Sequence, residues 1–348
     1  MAEFLIGKRL VGDDHPPLVV AEIGINHEGS LVSAIEMADA ALDAGAEAIK
    51  HQTHSLWDEM SEEARHVIPG NETVSIYDVI ARCALDERDE KALRDHVVGR
   101  GAIYFSTPFS RSAVDRLERL DVPVVKIGSG ECNNYPLVKY VARLGKPIIL
   151  STGMNTIDSI RPAVEILRLA QVPFALLHCT NLYPTPPNLI RLQGMVELKE
   201  AFPDAVVGLS DHSVTNDACI GATALGARIL ERHFTDRMDR PGPDISCSMD
   251  PQSLALLIQG SGIVFEARGG SKQPAYEEQV TMDFAFASVV AIRDIAVGET
   301  LTEENIWVMR PSGGAYSAKD YESLLGQVCK AAAIAGRQLP AGSVEDGL

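Results

Sequence analysis

The sequence predicts an α/β chain in which a TIM-type (β/α)8 barrel is followed by a small β-rich domain. Three observations carry this. Short apolar runs alternate eight times with segments of helical length between Leu18 and Gly270. Most of these runs are near-continuously apolar, as parallel strands buried on both faces are. After Gly269 the periodicity lapses, and two imperfect copies of one short pattern follow. Eight strand-helix units suit the roughly 250 residues of a (β/α)8 barrel, with right-handed crossovers. A doubly wound open sheet would bring fewer strand ends to one place.

The runs, in order, are LVVAEI (18–23), AEAIKHQ (46–52), AIYFST (102–107), VPVVKIGS (122–129), KPIILST (146–152), FALLHCT (174–180), AVVGLS (205–210) and ARILERHF (227–234). Between the first two, Ser30 is an expected N-cap for a helix with Leu31, Ile35, Ala38 and Leu42 on one face and Gly45 as its stop. NYPLVKYVARLG ends the same way at Gly145. This places a catalytic barrel at 1–270, a linker at 271–283 and a β-rich domain at 284–348. Within the last, RDIAVGETLTEENI and AAIAGRQLPAGSVE each read as a strand, a Gly turn and a Leu-polar step, so internal pseudo-symmetry is expected.

With 46% apolar and 23% charged residues in 348, the chain can bury a sizeable core. Its formal charge of -17 argues against nucleic acid or an anionic membrane as partner, so any anion pocket has to be built locally. Six scattered cysteines without a CxxC pair read as reduced thiols. Neither a signal peptide nor a stretch of about 18 apolar residues is present, and a cytoplasmic protein is expected.

In such a barrel the strand C-terminal ends form the active face. Here the runs end in Glu22 with Asn26 and His27, Lys50 with Gln52, Ser106 with Thr107, and Lys126 with Ser129 and Glu131. The second half ends in Ser151 with Thr152, Thr180 with Asn181, Ser210 with Asp211 and His212, and Glu231 with His233. An ammonium after an apolar strand needs a partner. Lys50 and Lys126, beside the hydroxyls of Thr107, Ser129 and Ser151, suit a ligand with phosphate and carboxylate ends. Two other readings stand beside this one: each lysine pairs with a neighbouring glutamate, or one forms a Schiff base.

His212 and His233 end adjacent strands, so their imidazoles are placed to meet on one divalent metal, with Glu231 on the same face by the period of two. His27, His51, His54 and His178 are further candidates. Glu22 and Glu131 are candidates for positioning water or moving protons, or else for neutralising the lysines. The loop DRMDRPGPDISCSMD after the eighth run would cover the pocket, with Asp244 able to accept sugar hydroxyls.

The strings AEIGINHEGS, IKHQTH, STPFS, KIGSGECNNYPL, ILSTGM, HCTNLYPTP, GLSDHS and LERHFTDRMDRPGPD together resemble the bacterial N-acetylneuraminate (sialic acid) synthases, in order and over essentially the whole chain. DFAFASVVAIRDIAVGETLTEENIWVMRP is similar to that family's antifreeze-like, or SAF, domain. The resemblance implies metal-dependent condensation of phosphoenolpyruvate with N-acetylmannosamine, using Mn2+ or else Mg2+ or Co2+. By the same resemblance His212 and His233 ligate the metal, and Lys50, Thr107, Lys126, Ser129, Ser151, Asn181 and Ser210 hold phosphoenolpyruvate. Glu22, Gln52, Tyr183, Asp244 and Phe284 surround the sugar. Arg310 reaches the N-acetyl group from the partner subunit of a domain-swapped homodimer, and Glu131 attends the attacking water. Legionaminic or pseudaminic acid synthesis from a related acetamido-dideoxy sugar is the neighbouring expectation.

Overall fold

The computed structural model describes residues 2–70 and 73–344. The chain forms two compact units, Met1–Gly269 and Gly270–Leu348. The first opens with a hairpin of β1 (Glu3–Ile6) and β2 (Arg9–Gly12), which the sequence pattern does not announce. Eight parallel strands then close a barrel: β3 (Leu18–Gly24), β4 (Ala48–Thr53), β5 (Ile103–Pro108), β6 (Val125–Ile127), β7 (Ile148–Ser151), β8 (Phe174–Cys179), β9 (Val206–Asp211) and β10 (Ile229–His233). They lie in chain order, and β10 pairs with β3 to complete the ring.

The crossovers are helical. They comprise α1 (Leu31–Asp43) after β3, then α2 (Leu56–Glu59), α3 (Ile76–Cys83) and α4 (Glu87–Gly99) after β4. Next come α5 (Arg111–Arg119), α6 (Tyr135–Ala142) and α7 (Ile157–Leu169) after β5, β6 and β7. The remainder are α8 (Pro187–Ile190) and α9 (Gln193–Ala201) after β8, α10 (Asp217–Ala224) after β9 and α11 (Pro251–Ala267) after β10. Helix α1 begins where expected, the Ser30 hydroxyl accepting from the Ser33 N–H, and Gly45 follows with φ +99°, a conformation an L side chain resists. Its most buried face differs from expectation. Ala34, Met37, Ala38 and Ala41 point into the core while Leu31, Ile35 and Leu42 flank them, because small side chains let the helix approach the sheet.

Inside the barrel, alternation decides what faces inward. Leu18, Val20, Ala48, Phe105, Val124, Ile149, Ala175, Leu177, Val206 and Ile229 share one buried interior cluster. Two residues further along each strand, the same inward face carries Glu22, Lys50, Thr107, Lys126, Ser151, Cys179 and Glu231. Each column is therefore oily below and polar above. Gly208 belongs to the β9 column, and a Cβ there would meet the Ile229 carbonyl at 2.3 Å and Leu177 at 2.6 Å. From the hairpin, Phe4, Ile6 and Val11 join the interior cluster and floor the barrel.

In the second unit, the stretch expected as a linker at 271–283 carries helix: a 3-10 turn at Tyr276–Glu278 runs into α12 (Gln279–Ala285). That helix has no buried residue, so no apolar stripe marks it in the sequence. The strands β11 (Ser288–Ala291) and β12 (Ile306–Met309) pair antiparallel. The two similar segments then pair about a local two-fold. Ile295 and Ala333 exchange both backbone hydrogen bonds. Gly298 donates to the Cys329 carbonyl as Gly336 donates to Ala291, and Leu301 donates to Gln327 as Leu339 donates to Val289. Every pair is separated by the same offset, so the faint repeat is a structural one. Residues 345–348 of the expected domain lie outside the described residues. No helix among the described residues is long and apolar enough to cross a membrane.

Candidate active site at the barrel mouth

Glu22, Lys50, Gln52, Thr107, Lys126, Ser129, Glu131, Ser151, Asn181, Tyr183, Ser210, His212, Glu231 and His233 line one cavity of about 270 Å³ at the C-terminal ends of the strands. Apart from the further histidine candidates, the barrel residues predicted for the site are brought together except Asp244, which lies on the covering loop with Oδ2 3.8 Å from His233 Nδ1. Asn26 positions that loop. Its amide donates to the Phe234 carbonyl and the Ser248 hydroxyl, and its oxygen accepts from the Asp244 N–H at 3.2 Å.

The two lysines sit at the bottom of the cavity, and each has a carboxylate partner. Lys50 Nζ contacts Glu22 Oε2, which its strand register places alongside, and donates to Thr107 Oγ1 at 3.2 Å. Lys126 Nζ lies 2.7 Å from Ser151 Oγ and 3.3 Å from Glu231 Oε1. The same Glu231 oxygen is 3.7 Å from Lys50 and accepts from Ser210 Oγ at 3.1 Å. All four charged side chains are buried.

Burial pushes Glu22 up to about 7, with Lys50 opposing and Glu231 adding to the rise. For Glu231 burial acts the same way, but Lys126 and Lys50 outweigh it and its pKa falls. Burial also lowers Lys126, against the pull of Glu231, whereas at Lys50 the burial penalty is overcome by Glu22 and Glu231. The cluster is close to neutral when Glu22 is ionised and becomes cationic when it is protonated.

Glu231 requires a correction. Period two puts it on the same face as His233, but two residues of strand also put it about 6.6 Å deeper. It meets the lysines rather than the imidazoles, and the carboxylate nearest His233 is Asp244.

At the rim, the rings of His212 and His233 stand 5.3 Å apart between centroids. Tyr183 stacks on His212 at 4.1 Å and meets His233 edge-on at 6.0 Å. His212 Nδ1 lies 3.0 Å from the Thr180 carbonyl, so that nitrogen carries the proton and Nε2 presents a lone pair in the neutral ring. The buried Nδ1 of His233 has no hydrogen-bond partner. Burial, then the neighbouring His212, pushes His233 well below the usual range and keeps it neutral. At His212 burial opposes the charge, yet the Cys179 sulfur and the Thr180 carbonyl raise it to about 9.

Two close imidazoles, one with an orphaned buried nitrogen, fit a divalent ion. Among the described residues no group of three or more His, Cys, Asp or Glu side chains is arranged as a ready-made cage. The remaining positions would fall to substrate or water, as at a catalytic centre.

Glu131 stands apart from the lysines, and burial together with the Glu59 charge pushes it up to about 7. Gly128 lets it turn inward, since a Cβ there would lie 2.9 Å from Glu131 Oε2. At Gly153 a Cβ would come 1.8 Å from Asn181 Oδ1, and its N–H donates to Ser129 Oγ at 3.0 Å. Cys179, Phe109 and Met154 also line the cavity and are not singled out by the sequence reading. The period-two rule carried on from Leu177 finds Cys179; Phe109 and Met154 lie on loops where no such rule applies.

Of the other histidines, His27 and His51 face away from the cavity. Their Nε2 atoms are 3.2 Å apart, and His51 Nδ1 is 3.5 Å from the fully buried Glu90 on α4, which also takes Arg116, Tyr104 and Thr53. They knit strand to helix. His178 meets the Ile190 carbonyl at 2.7 Å. In the second unit, Phe284 is exposed on α12 and Arg310 is exposed just after β12.

Comparisons with known proteins converge. The model of the NeuB family matches residues 37–273, and that of the SAF domain matches residues 286–345. The chain is 36% identical to the N,N'-diacetyllegionaminic acid synthase of Campylobacter jejuni, over 89% of this chain and 95% of that protein. It is 34% identical to the pseudaminic acid synthase of the same species, over 90% of this chain and 92% of that one. A crystal structure of an N-acetylneuraminic acid synthetase from Leptospira borgpetersenii in complex with citrate superposes with a TM-score of 0.73 at 29% identity, covering 80% of this chain and 95% of that one.

Proposed function

The chain belongs to the NeuB family, and from that premise we propose that it joins phosphoenolpyruvate to the open-chain aldehyde of N-acetylmannosamine, giving N-acetylneuraminate and phosphate. Family membership makes it a phosphoenolpyruvate-dependent nonulosonic acid synthase; the identity of the acceptor sugar is the proposed part. One observation carries the reading. Two buried ammonium groups and two facing imidazoles share a single small cavity, so one small dianion and one metal-bound carbonyl can be held side by side.

In this reading Lys50 and Lys126 bind the anionic ends of phosphoenolpyruvate, with Thr107, Ser129, Ser151, Asn181 and Ser210 directing its oxygens. At an effective dielectric near 20 an amine about 4 Å from an anion gains roughly 4 kcal/mol, enough to collect a phosphate or carboxylate despite the acidic surface. Protonation of Glu22 assists by leaving Lys50 less neutralised. A divalent ion held by His212 and His233, Mn2+ or else Mg2+ or Co2+, would polarise the aldehyde oxygen as a Lewis acid.

Gln52, Tyr183 and Asp244 orient the sugar, so that the enol carbon of phosphoenolpyruvate meets the aldehyde carbon. The positive charge that develops at the neighbouring carbon captures water. Glu131, poised near neutrality, takes one proton of that water while a proton passes to the former aldehyde oxygen, now a hydroxyl; the second water proton goes to phosphate as it leaves with its bridging oxygen by carbon-oxygen cleavage and the keto group forms. We also assign Phe284 and Arg310 to the sugar site, acting from a second copy of the chain in a domain-swapped homodimer.

The 36% identity to a legionaminic acid synthase favours a second reading, in which the acceptor is an acetamido-dideoxy sugar. Incubation with phosphoenolpyruvate, Mn2+ and each acetamido sugar in turn, followed by the mass of the product, decides between them. No phosphate release with any acceptor would end both.

A further inference from the structure

We propose that His54, backed by Glu59, is a positioning residue that fixes the Gln52 amide so that Gln52 offers the sugar its remaining N–H; this rests on the reading of Gln52 as a sugar contact. The chain of contacts leaves the cavity in three steps. Gln52 Nε2 donates to Glu22 Oε1 at 3.0 Å, and Gln52 Oε1 faces His54 Nε2 at 3.2 Å. His54 Nδ1 then lies 3.0 Å from both oxygens of Glu59, whose Oε2 also accepts from the Ser55 N–H at 3.4 Å.

An amide side chain has one accepting end and one donating end, and its orientation follows from its neighbours. The ionised Glu22 accepts only, so it turns the NH2 end toward itself and leaves the oxygen toward His54. That oxygen needs an N–H opposite it. The ring therefore donates at Nε2 to Gln52 and at Nδ1 to Glu59, standing between two acceptors. The groups facing it are Glu59 on one side, Gln52 and through it Glu22 on the other, and the Phe109 ring, with His27 close enough to feel its charge.

Phe109 holds the ring plane, with centroids 4.4 Å apart and the planes within 10°. The His54 and Glu59 side chains are 2% and 9% exposed, so water does not compete for these bonds. With one lone pair of Oε1 taken by His54 and one Nε2–H by Glu22, the amide is held in one orientation and Gln52 keeps a single N–H to offer. Because Gln52 lines the cavity, it selects a sugar oxygen with a free lone pair at that point.

The test uses the full chain with Mn2+ and compares wild type, His54→Phe, Gln52→Ala and the double variant. His54→Phe keeps the flat stack on Phe109 and loses both ring nitrogens. Its KM for the amino sugar is expected to rise about tenfold, the loss of one hydrogen bond, with the KM for phosphoenolpyruvate within about twofold of wild type. In the Gln52→Ala background the same change should do nothing further, because His54 acts through Gln52. Equal rises for both substrates, or an undiminished loss in the double variant, would overturn the proposal.

A second measurement needs no turnover. The 15N signals of the His54 ring, identified by their absence in His54→Phe, should show a proton on each nitrogen, and a bare nitrogen overturns the relay. If wild type releases phosphate with no acetamido sugar, the functional reading fails, while the ring signals still decide the hydrogen bonding.

Discussion

Glu231 Oε1 stands 3.3 Å from Lys126 Nζ with both side chains buried, and the same oxygen reaches Lys50 at 3.7 Å. One carboxylate is therefore shared by two ammonium groups, of which Lys50 also has Glu22. A neutral amide in its place removes the carboxylate beside Lys126, and breaking a buried pair from one side costs roughly 3–5 kcal/mol. Glu231→Gln is expected to lower Tm by several degrees. Phosphoenolpyruvate should raise the Tm of the variant by more than it raises that of wild type, since the ligand restores the missing negative charge. Thermal denaturation with and without the ligand checks both; an equal shift in the two proteins would refute the shared role.

Lys126→Met keeps the length of the side chain and removes its charge. A loss near 4 kcal/mol corresponds to roughly a thousandfold weaker phosphoenolpyruvate binding, measurable as KM or by calorimetry. The lysine makes no covalent bond in the proposed reaction, so borohydride with pyruvate should trap no adduct. A mass increase on Lys126 would replace the condensation by Schiff-base chemistry.

His233→Ala should abolish Mn2+-dependent turnover and weaken Mn2+ binding in titration calorimetry, while Tm stays near that of wild type. Metal affinity should depend on pH with a definite sign. His212 is raised to about 9, so the ion displaces a proton below that pH, and binding tightens as pH rises toward 9. Binding that is indifferent to pH would separate the metal from His212.

Glu131 offers a stability test. Its pKa rises from 4.5 in the unfolded chain to about 7, because burial and the Glu59 charge disfavour the carboxylate. The folded state thus holds a proton that the unfolded chain releases from about pH 4.5 upward. Stability is full below pH 4.5 and is lost as pH rises through about 7, by on the order of 2 kcal/mol after allowance for partial solvation. Glu131→Gln should be more stable than wild type at pH 8, indistinguishable near pH 4.5, and inactive. Urea denaturation at the two pH values measures the difference.

Arg310→Ala should raise the KM for the amino sugar at least tenfold and leave that for phosphoenolpyruvate nearly unchanged. Sedimentation should show a dimer. A monomer with full sugar affinity would remove Arg310 from the site.

The barrel is legible because eight apolar runs each end in polar residues, and alternation alone predicts which of those face inward. What alternation does not carry is height. Glu231 and His233 share a face, but only the staggered pairing of eight strands shows that one belongs with Lys126 and the other with His212. The hairpin at Glu3–Gly12 leaves little trace because its strands are four residues each and its buried positions, Phe4, Ile6 and Val11, become apolar contacts only once the barrel exists above them. Helix α12 leaves no signal because nothing covers it within its own unit. In the sequence His54 is one histidine among several. Its meaning comes from Glu59, five residues on, and from Phe109 on another strand's loop.

Because Phe4, Ile6 and Val11 join the oily interior below, the cavity among the described residues opens toward the C-terminal ends of the strands. With the small anion against the lysines and the sugar at the rim, as proposed above, the anion would have to arrive first and a product formed there would wait until the rim clears. Initial-rate kinetics should then be ordered, with the small anion leading.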